Sequence, residues 1–166
     1  MLEKAIEVQE QEQLPDLKLS FGDSRMFGHN SPASFQPAKG LIEIDQNLSF
    51  RKKLCSFLFE LTNVVQQKRF QEIDDRASKG LFKDGLAYAT EIERVEYEGA
   101  KLLSETIQAC VRDYGWYPCM DEYGPLLRTE WRTFEECLKR QIECGHTQDC
   151  IDYFYKLDKQ STASRK

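Results

Sequence analysis

Residues Leu86–Val111, LAYATEIERVEYEGAKLLSETIQACV, decide how the chain is read. Tyr88, Ile92, Val95, Gly99, Leu102, Leu103, Ile107, Cys110 and Val111 recur at helical steps, with Glu91, Arg94, Glu98, Lys101, Glu105 and Arg112 falling opposite. That period belongs to an amphipathic helix and not to a strand. Gly99 leaves a gap in the apolar stripe, which predicts that a second helix crosses there at short range. The stripe has room for two neighbours, so this helix reads as a hub.

Working outward, the next strong pattern lies on its N-terminal side. Asn47 or Ser49 can cap a helix reaching to about Ile73, with Leu54, Phe57, Leu58, Leu61, Val64 and Val65 as its main stripe. Cys55, Phe59 and Thr62 widen the apolar arc, which places neighbours on two sides. The polar segment Asp74–Gly80 predicts a turn or an irregular helix end. On the C-terminal side, Tyr114 to Gly124 form an aromatic connection, and Pro125 opens a third helix to Cys144 with Leu127, Trp131, Phe134, Leu138 and Ile142 as its stripe. Gly145 stops it, and Thr147 is the expected cap of a short fourth helix carrying Cys150, Tyr153, Phe154 and Leu157 inward.

Residues 1–46 read differently. Leu2–Gln13 can start a short helix ended by Pro15, and Phe21–Lys39 is broken by Gly22, Gly28, Pro32 and Pro37. Leu41–Ile44 has the look of an extended piece. The expected organisation is an irregular N-terminal arm over 1–46, holding at most a short helix or strand, a helical bundle over 47–160 and a frayed tail over 161–166. The expected fold is an all-α antiparallel bundle of about four helices behind that arm.

With 166 residues, 40% hydrophobic and 31% charged, the chain suits one folded domain. No apolar run nears the roughly 18 residues of a membrane span, and Met1–Gln13 lacks a secretory apolar core, so a cytoplasmic location is expected. The net charge of −5 argues against a general polyanion binder. Most of the cysteines Cys55, Cys110, Cys119, Cys137, Cys144 and Cys150 read as core thiols, Cys55 and Cys110 on apolar helical faces.

Cys137, Cys144, His146 and Cys150 are the densest set of potential ligands, and a zinc ion wants about four such groups. Cys137 and Cys144 stand two turns apart on one helix, roughly 10 Å by helical rise, too far for one ion. The four are therefore weak metal candidates, and neither a metal nor a cofactor is expected; a disulfide from Cys150 to Cys144 or Cys137 is a minority option. Glu143 and His146 match a Glu-x-x-His spacing, with Glu60 and Glu96 near apolar stripes, but Gly145 interrupts the motif. Cys119 with His146 is the nearest approach to a nucleophile pair, without a local signature. With two histidines in the chain, an enzyme is not expected.

Two surfaces remain. Trp116, Tyr117 and Tyr123, with Phe27 and Phe35 of the arm, are the expected protein-docking residues, since such side chains combine contact area with polar tips. The basic residues Arg51, Lys52, Lys53, Lys68, Arg69, Arg128, Arg132, Lys139 and Arg140 offer phosphate contacts if their faces align. The expected function is a non-catalytic small helical subunit or adaptor in a larger protein assembly. The alternative is a helical subunit touching nucleic-acid backbone in a ribonucleoprotein. In size and helicity alone the chain resembles the small helical subunits of CRISPR effector complexes. A thiol- or zinc-dependent protein comes third.

Overall fold

The computed structural model describes residues 1–11, 15–23, 32–115 and 133–163, with backbone alone for 114 and 158–163. Along the chain these form α1 (Leu2–Gln11), β1 (Lys18–Gly22), β2 (Ala33–Gln36), a 3-10 turn (Pro37–Lys39), β3 (Leu41–Asp45), α2 (Phe50–Ser78), α3 (Gly85–Tyr114), α4 (Phe134–Cys144) and α5 (His146–Ala163). The protein is mostly helical but not all-α, because the described part of the expected irregular arm folds into a helix and a three-stranded sheet. The described residues gather into two compact units, one from 1–67 and 99–115, the other from 68–98 and 133–163.

In the first unit the sheet order is β1-β3-β2, with β1 parallel and β2 antiparallel to β3. Alternation in Leu41-Ile-Glu-Ile buries Ile42 and Ile44 on one face, where they join Ala5 of α1, Ala33 of β2, and Leu61 and Val64 of α2. The turn into β3 closes at Gly40, whose φ is +60°. A side chain there would stand 2.5 Å from the Asp16 carbonyl oxygen and 2.6 Å from that of Pro15, so only glycine lets the segment before β1 lie against it.

Ser49 Oγ accepts from the Lys52 N–H at 3.3 Å and starts α2. Within this unit Cys55, Ser56, Glu60, Leu61, Thr62, Val64, Gln66 and Gln67 are all buried. At 100° per residue they cover most of the helix's girth, so α2 is enclosed on more than one side, as its wide apolar arc predicts. Cys55 is disulfide-bonded, not a free core thiol. It also packs with Leu103 and Ile107 of α3. The crossing predicted at Gly99 is present: a Cβ on Gly99 would lie 2.7 Å from Gln66 Nε2 and 2.9 Å from Thr62 Oγ1.

In the second unit Ile73 and Ala77 of α2, Tyr88, Ile92 and Val95 of α3, and Phe154 of α5 form the core. Tyr88 donates its hydroxyl to Asp74 Oδ1 at 2.7 Å, and its ring meets those of Phe82 and Phe154 at 5.6 and 5.4 Å between centroids. Asp84 Oδ1 accepts from the Ala87 N–H at the start of α3. α2 runs to Ser78, past the expected end at Ile73.

The third predicted helix is interrupted at Thr133, and its expected start at Pro125 lies outside the described residues. Thr133 has extended backbone (φ −126°, ψ 157°) and caps α4, its Oγ1 accepting from the Glu136 N–H while Glu136 reaches back to the Thr133 N–H. The Arg94 guanidinium covers the Phe134 ring at 3.9 Å. Gly145, with φ +88°, ends α4 as expected. Thr147 is not the cap of the last helix, which begins at His146; its side chain is used elsewhere. Among the described residues no helix is long and apolar enough to cross a membrane.

Candidate functional site

Two places stand out, one in each unit. In the first unit β1 is an edge strand, pairing among the described residues with β3 alone. Lys18 donates its N–H to the Gly40 carbonyl and Gly22 accepts from the Gln46 N–H, both at 2.7 Å. In a parallel ladder alternate residues bond to the same neighbour, so Lys18, Ser20 and Gly22 face β3. The N–H and C=O groups of Leu19 and Phe21 consequently point away from β3, to the edge on which no described strand pairs.

The side chains of Leu19 and Phe21 share the sheet face that carries Ile42 and Ile44, being paired with them in register. They stay 47% and 53% exposed. With Ile44, Phe50, Leu54 and Phe57 they line an apolar groove of about 190 Å³. Phe50, at the start of α2, is 78% exposed. Lys53 is the one charged residue in that lining, its Nζ 5.7 Å from the centre of the Phe21 ring.

The second place is a carboxylate, imidazole and thiol cluster. Glu93 of α3 is fully buried, its Oε1 accepting from Thr147 Oγ1 at 2.8 Å and lying 3.1 Å from His146 Nδ1. Its other oxygen, Oε2, is sealed from solvent without a hydrogen-bond partner. Glu96 Oε2 lies 3.8 Å from His146 Nε2 on the other side of the ring. Ligand atoms of Glu93, His146 and Cys150 all fall within 4.8 Å of one another.

The electrostatics follow from this packing. The hydrogen bond to Glu93 pushes His146 up to about 9; burial opposes it, and the charges of Glu96 and Glu93 and the nearby Cys144 add to it. The ring therefore carries both protons at neutral pH, and Nδ1–H donates to Glu93. Burial pushes Glu96 up to about 7, with His146 opposing and Glu93 assisting, although its side chain keeps 25% of its surface exposed. Burial, then Glu93, Glu96 and Cys144, push Cys137 up to about 11. Burial also raises Cys150, aided by Glu96, Glu93 and Asp149 against a backbone hydrogen bond. Both thiols hold their protons at neutral pH, the reverse of what a nucleophilic cysteine needs.

Of the weak metal candidates, His146 and Cys150 come together, Cys137 is buried near the same carboxylates, and Cys144 is exposed with its thiol directed at the Gln141 carbonyl. Trp116, Tyr117, Tyr123 and Phe27 lie outside the described residues, as do Cys119, Arg128 and Arg132. Phe35 packs against the core of the first unit. The basic residues fall in both units: Arg51, Lys52 and Lys53 in the first turn of α2, and Lys68, Arg69, Lys139 and Arg140 in the second unit, where Arg69 pairs with Glu98 and Lys139 approaches Glu143 at 4.0 Å.

The reading of sequence missed Leu19, Phe50 and Glu93. Glu93 had one signal, its place four residues after Ala89 and seven before Ala100, both buried, on a helical row of small residues. Comparison with protein-family models, curated proteins and solved structures gave no match. The fold defines the chain as a mostly helical protein with a small mixed sheet.

Proposed function

We propose that the chain is a non-catalytic binding subunit that captures an extended segment of a partner protein by adding it as a strand to β1. The single observation that carries this reading is the outward-facing backbone of Leu19 and Phe21 beside the apolar groove under Phe50. An open edge is an aggregation hazard that proteins usually blunt, so one flanked by exposed aromatic side chains is worth keeping when a strand is meant to pair there. Ladder hydrogen bonds supply the affinity, and pockets for alternate side chains supply the choice of sequence.

The lining of the groove supports one kind of occupant. Leu19, Phe21, Phe50, Leu54 and Phe57 call for apolar side chains at alternate positions, and Lys53, with Lys52 in the same helical turn, calls for an acidic residue among them. Selection from a displayed library of 12-residue peptides, roughly 40 Å when extended, tests this. The expected result is enrichment of alternating apolar sequences with an Asp or Glu, lost in Leu19→Pro and in Phe50→Ser. Proline at Leu19 removes only an outward N–H, so the ladder to β3 survives. Recovery of no peptide, or equal recovery by both variants, overturns the reading. Salt-sensitive retention of RNA in place of peptide would transfer it to phosphate contact.

A further inference from the structure

The carboxylate, imidazole and thiol cluster plays no part in strand capture. We propose that Glu93, His146 and Cys150 bind one divalent cation of the zinc class. The three bring an oxygen, a nitrogen and a sulfur within 4.8 Å of one another. A tetrahedral zinc with bonds of 2.0 to 2.3 Å holds such atoms about 3.3 to 3.6 Å apart. Side-chain rotation of about an ångström closes the difference.

A second observation points to a ligand independently. Thr147 and His146 occupy Glu93 Oε1, while Oε2 is enclosed and unpartnered. A buried carboxylate oxygen left without a donor is costly, and few described groups of this chain are in that position. A cation placed against it satisfies the lone pair and takes over from the His146 imidazolium in balancing the buried carboxylate.

The donor set selects the metal. Calcium and magnesium take oxygen, and copper(I) prefers sulfur alone; one carboxylate, one imidazole and one thiolate suit borderline zinc, or cobalt(II) as its stand-in. If His146 binds through Nδ1, its Nε2–H faces Glu96 Oε2 at 3.8 Å. An outer carboxylate commonly orients a metal-bound histidine, and rotation of the Glu96 side chain into hydrogen-bond distance gives it that positioning role. Binding displaces the Cys150 thiol proton and the proton shared between His146 and Glu93, both to solvent. Three protein ligands leave a fourth position for water.

The test uses the full chain, stripped with a chelator and titrated with cobalt(II). The expected result is a near-ultraviolet thiolate-to-cobalt charge-transfer band that saturates at a single equivalent and is displaced by zinc(II). Cys150→Ser abolishes the band; Cys144→Ser, altering an exposed thiol, keeps it. Glu96→Gln keeps the band but weakens binding about 10- to 100-fold. No thiolate band in the unsubstituted protein overturns the proposal, which does not depend on any variant folding. A band that survives Cys150→Ser, or that disappears with Cys144→Ser, overturns it as well.

Discussion

Thr147 donates its hydroxyl to Glu93 Oε1 at 2.8 Å, and both side chains are closed off from solvent. The bond ties the first turn of α5 to the middle of α3 inside the second unit. Thr147→Val keeps the shape and removes the donor, leaving a buried carboxylate worse satisfied than before. A loss of about 1 to 3 kcal/mol is expected, read as a shift in the urea midpoint. Thr147→Ser should retain most of it.

Two glycines allow a graded comparison. Gly99→Ala drives a Cβ against the movable end of Gln66 and the stiffer, hydrogen-bonded hydroxyl of Thr62 and should cost about 1 to 3 kcal/mol. Gly40→Ala meets the Pro15 and Asp16 backbone at a left-handed φ, where nothing yields cheaply. It should cost more than Gly99→Ala in the same denaturation assay. Equal losses would mean that the close approach at Gly40 is not maintained in solution.

Tyr88 gives a pH dependence with a definite sign. Burial, then the hydrogen bond and charge of Asp74, raise its hydroxyl far above the ordinary value of 10.0. Below pH 10 both folded and unfolded chains keep this proton; above it only the folded chain does. Stability should therefore fall as pH rises past about 10, by about 1.4 kcal/mol per pH unit from this residue. Tyr88→Phe should flatten that slope while costing about 1 kcal/mol at neutral pH.

Phe50→Ser separates binding from folding. A side chain 78% exposed contributes little to stability, so the urea midpoint should stay within about 0.5 kcal/mol of the parent. Affinity for a selected peptide should fall sharply, because the same ring forms a wall of the groove.

The long helices were legible because Leu54 to Val65 and Tyr88 to Val111 repeat their apolar residues over many turns. The strands were harder to read. Leu41–Ile44 alternates visibly, but Lys18–Gly22 is five residues long and lies between breakers, so its alternation of Leu19 and Phe21 was lost in a stretch read as irregular. The capping box at Thr133 and Glu136 was written in the sequence, yet the apolar spacing of Trp131, Phe134 and Leu138 ran across it and hid the helix start. The Glu93 cluster was illegible for another reason. It depends on α5 packing against α3, and a glutamate one step from Ile92 reads as surface until that neighbour is known.

Amide exchange along β1 tests the central claim most directly. In the free protein the Ser20 and Gly22 amides should be protected by β3, while those of Leu19 and Phe21 exchange quickly from the open edge. Adding a selected peptide should protect Leu19 and Phe21 and leave Ser20 and Gly22 as they were. Protection of Leu19 and Phe21 without a partner, or no change when the peptide binds, would contradict strand capture at this edge.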